Sequence, residues 1–398
     1  MLIGIDASCW LNRRGYGRYT RELMRAVLDA DTRNEYLLFL DAVTARESEE
    51  LPAEDRAARV VIKTDAAATR AAAAGGSRSA HDLWRMRRAV AEWNDRLDVF
   101  FFPADYSYFP IKTRARVVVT KHDMTDRKVP ELLFPDWKSR LLWEVKIRLA
   151  IRRADVVSTV SETSRRDIMA AFALAPERVK VVADAVDATF VPAMPGPDHT
   201  AVLARYAIAP GERFLLYVGG ISPHKNLHTL VSAYEQYRRL AAPGHAPVSL
   251  VLVGDYTSDV FHSSFTAIRA MIDTAGLGAS VRFVGYVPDP DLRHLYSAAA
   301  ALVLPSFYEG FGLPVLEAMA CGAPVVASSA GALPEVVGDC GLLFDPHSTE
   351  QLAGVLMRLL GDEALQRDLS SRGLTRAAAY TWGASARAAI SMFEGLAR

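Results

Sequence analysis

A chain of 398 residues exceeds what one ordinary hydrophobic core supports, so its length predicts two domains of about 200 residues each. Half of the residues are hydrophobic and the formal net charge is zero, which is ordinary for a soluble globular protein and gives no global signal for nucleic-acid binding. The three cysteines lack the spacing of disulfides or metal ligands, and no apolar segment reaches the roughly 18 residues of a membrane span. Because the first residues also lack the pattern of a secretory signal, we expect a cytoplasmic protein.

Short apolar segments alternate with longer amphipathic ones, which predicts parallel sheets covered by helices. In the first half of the chain, the predicted strands are LIGID, EYLLFL, ARVVI, DVFFFP, RVVVTKHD, DVVSTVS and VKVVAD. Helices are expected at 16–29, 80–96, 137–153 and 162–173. The low-complexity segment 64–80 is expected to be a mobile loop.

A segment rich in proline and glycine, residues 190–212, predicts a linker. The alternation then resumes with the predicted strands FLLYVGG, SLVLVGD, VRFVGYV, AALVLPS, PVVASS and GLLFDP. Helices are expected near 226–240, 261–275, 290–299 and 314–321. The sequence therefore predicts an α/β protein with two doubly wound domains facing each other across a cleft. Ligands of such folds bind beyond the carboxyl ends of the strands.

The first predicted strand leads through the loop of GIDASCWLNRRGYGRYTREL into a helix. Gly15 and Gly17, on either side of Tyr16, would let the backbone approach a phosphate at the helix N-terminus. A nicotinamide dinucleotide is an alternative ligand, since Asp41 ends the next strand, but Thr20 replaces the third glycine of that fingerprint. A glycine turn needed only for chain geometry is the other alternative.

Two further motifs follow predicted strands. In VVVTKHDMTD, His122 lies just past a carboxyl end, where it could bind a hydroxyl or transfer a proton, or could be a structural histidine. In FLLYVGGISPHKNL, Gly219 and Gly220 end a strand and Lys225 stands at the start of the next helix. A lysine beside exposed amides suits a diphosphate, although a solvated surface lysine gives the same pattern.

The segment VRFVGYVPDPDLRHLYSAA contains an Asp-x-Asp sequence, which is sometimes a metal clamp. A helix start explains it better, with Asp289 as N-cap, Pro290 at the first helical position and Asp291 near the positive end of the helix dipole. A hard cation would also need more oxygen ligands than this segment offers, so no metal site is predicted. Tyr286 and Val287, at the carboxyl end of the preceding strand, could lie against a nucleotide base.

The segment SFYEGFGLPVLEAMACGAPVV joins a strand to a helix and is the most informative of all. The amides of Phe311, Gly312 and Leu313 would be open to an anion at the helix N-terminus. Glu309 would lie beside them in the loop, and Glu317 one turn into the helix. Two carboxylates would repel an anion unless each binds a neutral hydroxyl, so the arrangement fits a nucleotide sugar. Capping or solvation is the alternative for each glutamate alone.

Together these segments resemble the family-4 retaining glycosyltransferases of the GT-B fold. The matching pieces span nearly the whole chain: GYGRYTREL, KHDMTD, STVSETSRRDI, YVGGISPHKNL, FVGYVPDPDLRHLY and SFYEGFGLPVLEAMACGAPVV. The last looks like the family's signature of two glutamates separated by seven residues. The resemblance implies a Rossmann-like acceptor-binding domain at 1–195, a Rossmann-like nucleotide-sugar-binding domain at 196–378, and a terminal helix at 379–398 that crosses back to the first domain.

The resemblance also implies a role for each matching residue. Glu309 would bind hydroxyls of the donor sugar and Glu317 would hold the ribose. Lys225 would neutralise the departing diphosphate, which Gly17 would line from the first domain. His122 would lie at the reacting face of the sugar, near the acceptor. The family transfers with retention of configuration, without a bound metal and without a cofactor.

One departure from the family concerns the diphosphate, because many members carry an arginine where this chain has Gly220. The opening of the chain is similar to members that add mannose from GDP-mannose to bacterial surface glycans, which implies a hexosyltransferase of polysaccharide or lipopolysaccharide synthesis with a glycan or lipid-linked acceptor. A UDP-sugar-dependent transferase and a nucleotide-sugar 2-epimerase are the alternatives. An inactive binding protein and a nicotinamide dehydrogenase represent other classes.

The segment 137–153, WKSRLLWEVKIRLAIRR, has six basic residues, one acidic residue and two tryptophans. Such a helix could rest on anionic lipid at the inner face of a membrane, where a lipid-linked acceptor would be found. An ordinary helix packed on the first domain is the alternative.

Overall fold

The computed structural model describes residues 1–12, 15–48, 51–64, 79–240, 247–256 and 263–396. Apart from its ends, the loop expected at 64–80 lies outside the described residues, as do the first two residues of the helix expected at 261–275.

Two parallel sheets organise the described part of the chain, and every predicted strand is confirmed. The first sheet has the order β3-β2-β1-β4-β5-β6-β7 and the second the order β10-β9-β8-β11-β12-β13. The strands are β1 (Leu2–Asp6), β2 (Glu35–Asp41), β3 (Ala58–Ile62), β4 (Val99–Phe102), β5 (Arg116–Thr120), β6 (Val156–Thr159), β7 (Val179–Val181), β8 (Arg213–Val218), β9 (Val248–Val253), β10 (Val281–Gly285), β11 (Ala301–Leu304), β12 (Val325–Ser328) and β13 (Leu342–Phe344).

Helices connect these strands. They are α1 (Gly15–Ala30), α2 (Ala42–Glu47), α3 (Ala80–Ala91), α4 (Thr125–Lys128), α5 (Pro130–Leu133), α6 (Trp137–Arg153), α7 (Glu162–Phe172), α8 (Pro197–Arg205), α9 (Leu227–Leu240), α10 (Phe265–Thr274), α11 (Asp289–Ala298), α12 (Leu313–Ala320), α13 (Leu333–Val337), α14 (Thr349–Gly361), α15 (Glu363–Ala377) and α16 (Trp382–Leu396). No helix of the described residues combines the length and the apolar character needed to cross a membrane.

The strand sequences are apolar without alternation because both faces of these sheets are covered. Every residue of β4, β11 and β12 is buried, and these strands form the centres of the two cores. In each sheet, the first and fourth strands are neighbours, so the connections leave in opposite directions at that point. This is the topological switch of a doubly wound sheet, and it opens a crevice at the carboxyl ends of the two strands.

Two details of the sequence prediction are wrong. The segment 190–212, expected to be a linker, contains helix α8. Pro197 is the first residue of this helix, a position that suits proline, and the helix packs against α11. There the ring nitrogens Nδ1 of His199 and His294 are 2.9 Å apart. In addition, α11 is capped by Pro288 without a side-chain hydrogen bond, so Asp289 is its first helical residue and not its N-cap.

The chain divides into two compact units. The first contains Met1–Met124, Phe134–Asp184 and Thr381–Arg398, and the second contains Thr125–Leu133 and Ala185–Tyr380. The first sheet therefore belongs to the first unit, together with the terminal helix α16, and the second sheet belongs to the second unit. Their assignment to acceptor and nucleotide sugar stays a prediction.

The terminal helix α16 packs against α1 within the first unit. The ring of Phe393 meets the ring of Phe101 edge to face, with centroids 5.3 Å apart. The Ser385 hydroxyl donates to the carbonyl of Ala183 at 2.7 Å. These contacts explain why the last residues are amphipathic, since one face covers apolar residues of the first unit.

Candidate functional site

The switch point of the second sheet brings Lys225 and Glu309 into direct contact. Lys225 ends a short 3-10 turn, Pro223–Lys225, beyond β8, and Glu309 lies in the loop after β11. The Lys225 Nζ atom lies 2.7 Å from Glu309 Oε1, and both side chains are partly buried. A carboxylate withdrawn from water keeps its charge when a cation compensates it, so the pair forms a charged centre at this end of the sheet.

A second donor binds the same oxygen of Glu309. The Ser306 hydroxyl donates to Oε1 at 2.6 Å, whereas Oε2 accepts no hydrogen bond from the described residues. Burial by itself would raise the pKa of the Glu309 carboxyl, but Lys225, Ser306 and the nearby His224 outweigh it and lower the pKa. The carboxyl is therefore ionised at neutral pH.

The backbone of Glu309 is held by the turn that follows β12. The amide of Ala332 donates to the Glu309 carbonyl at 2.9 Å. Gly331 has φ +60° and a Cβ there would lie 2.4 Å from the Glu309 oxygen, so both its conformation and the available space require glycine. The sequence alone gives no signal for Gly331, because only the fold brings it beside a residue 22 positions earlier.

The position of Lys225 depends on the residue after it. Asn226 is buried with φ +57°, a left-handed conformation that asparagine tolerates. Its side-chain amide donates to the carbonyls of Pro305 at 3.0 Å and Pro346 at 2.8 Å. These bonds join the turn that bears Lys225 to the chain after β11 and β13. The sequence alone gives no signal for Asn226, since its partners are distant in the chain.

The two glycines after β8 make different hydrogen bonds, and the space around Gly220 would admit a larger residue. The amide of Gly219 donates to the carbonyl of Val253 at 3.0 Å, and the carbonyl of Gly220 accepts from the Tyr217 hydroxyl at 2.6 Å. A Cβ at Gly220 would meet nothing closer than Ser222 Oγ at 3.9 Å. Local crowding at the Cβ position therefore does not explain why this chain has glycine there.

The three amides predicted to bind an anion lie at the start of α12. Gly312 precedes the helix and Leu313 begins it. In the part of the chain that the structure describes, the amides of Phe311, Gly312 and Leu313 donate to no protein acceptor. They are therefore available at a helix N-terminus beside Glu309, which is the arrangement that favours an anion.

Glu317 has different surroundings from Glu309. It is one turn into α12, 4 % exposed, and its Oε2 accepts from the Tyr296 hydroxyl of α11 at 2.8 Å. Its binding of ribose stays a prediction. The predicted base contacts also differ from each other, because Tyr286 is 60 % exposed whereas Val287 is buried.

In the first unit, His122 lies just past β5 between two aromatic rings. The rings of Tyr16 and Tyr19 each meet the imidazole edge to face, with centroids 4.7 Å away. The His122 Nε2 atom is 2.9 Å from the carbonyl of Pro103, which can only accept, so Nε2 carries the proton and Nδ1 keeps a lone pair. Burial lowers the pKa of His122 to about 4, which leaves the ring neutral at pH 7.

A buried ion pair adjoins His122. The Lys121 Nζ atom lies 3.1 Å from Asp105 Oδ2, and both side chains are almost fully buried. Lys121 follows β5, and Asp105 lies in the short turn after the neighbouring strand β4. This pair was not predicted, although two opposite charges just past successive strands are a signal for it.

The structure gives Gly17 a packing reason to be glycine. Helix α1 begins at Gly15, so Gly17 lies in its first turn and not in the loop. A Cβ at position 17 would lie 1.8 Å from the carbonyl oxygen of Asn12, whereas one at Gly15 would meet nothing within 4 Å. The carboxylate of Asp41, which a dinucleotide would need, caps α2. Phosphate binding by Gly17 stays a prediction.

The Asp-x-Asp sequence is occupied by protein contacts. Asp291 pairs with Arg205 at 3.1 Å and accepts from the Tyr206 hydroxyl at 2.7 Å. Among the described residues, no group of three or more histidine, cysteine, aspartate or glutamate side chains is placed to hold a metal ion.

Similarity to known proteins agrees with this geometry. The model described as Glycosyltransferase Family 4 matches residues 13–190, and the model described as Glycosyl transferases group 1 matches residues 199–376. The chain is 33% identical over 303 residues to O-antigen chain mannosyltransferase B of Escherichia coli, covering 76% of each protein. It is 31% identical over 245 residues to the serotype-specific mannosyltransferase WbdA of Escherichia coli, a match that covers 61% of this chain but only 29% of WbdA.

Among solved structures, the chain is similar to Anabaena Alr3699/HepE in complex with UDP and glucose. The TM-score is 0.73 with 21% identity, and 99% of each chain is covered, which establishes a common fold. The family models, the mannosyltransferase relatives and the shared fold all lead to one assignment. This chain belongs to the family-4 glycosyltransferases and is a glycosyltransferase of the GT-B fold.

Proposed function

We propose that this enzyme transfers a hexose from a nucleotide sugar to a glycan or lipid-linked acceptor in the synthesis of a bacterial surface polysaccharide. The observation that carries the proposal is the contact between Lys225 and Glu309 beside the amides at the start of α12 that donate to no acceptor among the described residues. A cation and amides suit a diphosphate, and a carboxylate with one unused oxygen suits sugar hydroxyls.

GDP-mannose is the donor that we propose first. Both Escherichia coli relatives are described as mannosyltransferases, and one of them is described as acting on O-antigen chains. A UDP-sugar is the second candidate, because the related fold of HepE holds UDP and glucose. The nucleoside diphosphate that stabilises the native protein most will distinguish the two.

The transfer would proceed with retention and without a bound metal. The bond between the anomeric carbon and the diphosphate oxygen breaks while the acceptor oxygen bonds to the same face of the anomeric carbon. The acceptor proton passes to the departing phosphate. The Lys225 ammonium and the amides of Phe311, Gly312 and Leu313 stabilise the negative charge that develops on the diphosphate. Glu309 accepts hydrogen bonds from hydroxyls of the sugar and keeps the sugar in place.

His122 would serve the acceptor end of the reaction as a neutral group. Its lowered pKa prevents a cationic role near pH 7, while the lone pair of Nδ1 can accept a hydrogen bond from a hydroxyl. The edges of Tyr16 and Tyr19 fix the ring plane, so this hydrogen bond would have a defined direction.

Helix α6 would hold the enzyme on an anionic membrane at the inner face, where a lipid-linked acceptor lies. Its buried residues Ile147, Ala150 and Ile151 pack on the first unit, so the ordinary packing interpretation accounts for one face only. The opposite face exposes a group of large apolar side chains interleaved with basic ones. These apolar residues are Trp137, Leu141, Leu142, Val145 and Leu149. Apolar anchors beside positive charge fit the interface of anionic lipid.

A panel of nucleoside diphosphates tests the donor. We expect GDP to raise the melting temperature more than UDP, dTDP or ADP, because a ligand selective for the native state stabilises it. Lys225→Ala should lose most of this shift, and Lys180→Ala, a change on the first unit, should keep it. A larger shift with UDP would favour the second donor. No shift with any of the four would contradict the proposal.

The two glutamates should affect different kinetic constants. Glu309→Gln should lower kcat by about 100-fold or more with little change in nucleotide affinity, since in the proposed function its second oxygen binds the sugar and not the nucleotide. Glu317→Gln should weaken nucleotide binding about tenfold with a smaller effect on kcat. Glutamine keeps a hydrogen-bond acceptor for Tyr296, which alanine would remove. Steady-state kinetics and calorimetry measure both effects, and identical behaviour of the two variants would refute this division.

Acid should destabilise the protein through His122. Its pKa is lower in the folded state than in the unfolded state, so the unfolded chain takes up the proton first and stability falls between pH 6.5 and about 4. Between pH 7.5 and 5, His122→Gln should reduce the pH-dependent loss of unfolding free energy by about 2 kcal/mol. Urea denaturation at both pH values measures this, with His81→Gln as the exposed control. Equal losses in wild type and His122→Gln would show that the ring is not buried neutral.

Binding to vesicles tests helix α6. The protein should co-sediment with vesicles containing phosphatidylglycerol at low salt, and less with neutral vesicles or high salt. Leu142→Ser, at a side chain 72 % exposed, should weaken binding, while Leu240→Ser, at an exposed leucine of α9, should not. Binding that is absent, or that is equally sensitive to both variants, would argue against α6 as the anchor.

A further inference from the structure

Glu309 uses only one of its two carboxylate oxygens within the protein. Lys225 donates to Oε1 at 2.7 Å and Ser306 donates to the same atom at 2.6 Å. Oε2 accepts no hydrogen bond from the described residues. A carboxylate that is held from one side in this way presents its other oxygen in a fixed direction.

We propose that Ser306 is a positioning residue for the transfer reaction. It fixes the plane of the Glu309 carboxylate so that Oε2 accepts a hydrogen bond from a hydroxyl of the donor sugar. The inference rests on the proposed function and deepens it, because it names the group that orients the sugar-binding carboxylate. Ser306 itself needs no contact with the substrate.

The fold gives Ser306 a rigid place from which to act. It is completely buried just past β11, and its carbonyl accepts from the hydroxyl of Ser328, the last residue of the neighbouring strand β12, at 2.6 Å. The carbonyl of Glu309 is held by Ala332. Both ends of the segment from Ser306 to Glu309 are therefore fixed by β12 and the turn after it. The direction of the Ser306 hydroxyl is set by the sheet and not by a loose loop.

The two donors to Oε1 would behave differently during the reaction. Lys225 is a long, flexible side chain, and in the proposed function its charge also serves the departing diphosphate. Ser306 is short and buried, so its hydrogen bond persists when the ammonium turns toward the phosphate. The Ser306 hydrogen bond would then maintain both the orientation and the ionised state of Glu309 while Lys225 interacts with the departing diphosphate.

Kinetics of Ser306 variants test the inference. Ser306→Ala should lower kcat about tenfold or more, while its affinity for the nucleoside diphosphate alone stays unchanged. Ser306→Thr keeps the hydroxyl and should recover most of the activity. Ser329→Ala, at an exposed serine that follows β12, is the matched control and should behave as the wild type. A normal kcat in Ser306→Ala, or a loss of nucleotide affinity parallel to kcat, would overturn the inference.

The pH dependence gives a second, independent measurement. In this role Glu309 must be ionised to accept the hydrogen bond of the sugar hydroxyl. Loss of the Ser306 hydrogen bond should raise the pKa of Glu309 and so move the acid limb of the kcat profile to higher pH. His224, Lys225 and Tyr217 also face Glu309, and they are unchanged in every variant compared. An acid limb that does not move in Ser306→Ala would contradict the proposed role.

Unfolding tests the hydrogen bond without any donor. The lowered pKa of Glu309 contributes stability that is present above its unfolded value and is lost as the pH falls through the folded value. Ser306→Ala should therefore reduce the loss of unfolding free energy on acidification relative to Ser329→Ala. A wild type inactive with every donor would overturn the proposed function and this role together. An active wild type with a fully active Ser306→Ala would overturn this role alone.

Discussion

The site depends on keeping a carboxylate ionised where water is partly excluded. The Lys225 ammonium does this for Glu309, and the distance of 2.7 Å between their charged atoms lies within the range of a charge-assisted hydrogen bond. Glu309 would not keep its charge as easily alone, because transfer of an unpaired ion from water is strongly unfavourable. The surrounding residues hold the pair in register: Asn226 fixes the turn that bears the lysine, and Gly331 with Ala332 fixes the loop that bears the glutamate.

The first unit provides a contrast in how burial is used. His122 is buried without a compensating charge at its ring nitrogens, and its pKa falls so that the ring is neutral. Next to it, Lys121 and Asp105 are buried as an ion pair, with Nζ and Oδ2 3.1 Å apart. Burial thus accompanies a neutral acceptor of hydrogen bonds at one residue and an ion pair at its neighbour. Removing one partner from such a buried pair typically destabilises a protein by about 3–5 kcal/mol.

The fold was predictable from the sequence because buried parallel strands appear as uninterrupted apolar segments, as in β4 and β11. Glu309 and Lys225 were predictable as candidates because both lie beyond strand ends in recognisable motifs. Their supports were not predictable in this way. The partners of Asn226 are 79 and 120 positions away, and Gly331 matters only through contact with a loop that precedes it by a full helix and strand. Helix α8 was missed because its proline and glycine suggested a linker, although proline also begins helices.

The division of the chain into units constrains how the protein can be cut or assembled. The chain passes between the units after Met124, Leu133, Asp184 and Tyr380. The short segment Thr125–Leu133 therefore belongs with the second unit, where α5 packs on the turn that bears Lys225 and Lys128 lies over the ring of Tyr308 at 5.9 Å. A fragment that begins after β7 would lack Thr125–Leu133. It would also carry α16, whose apolar face packs on the first unit, which the fragment lacks. Neither unit can be obtained intact by a single cleavage of the chain, because each is built from two or more separate stretches of it.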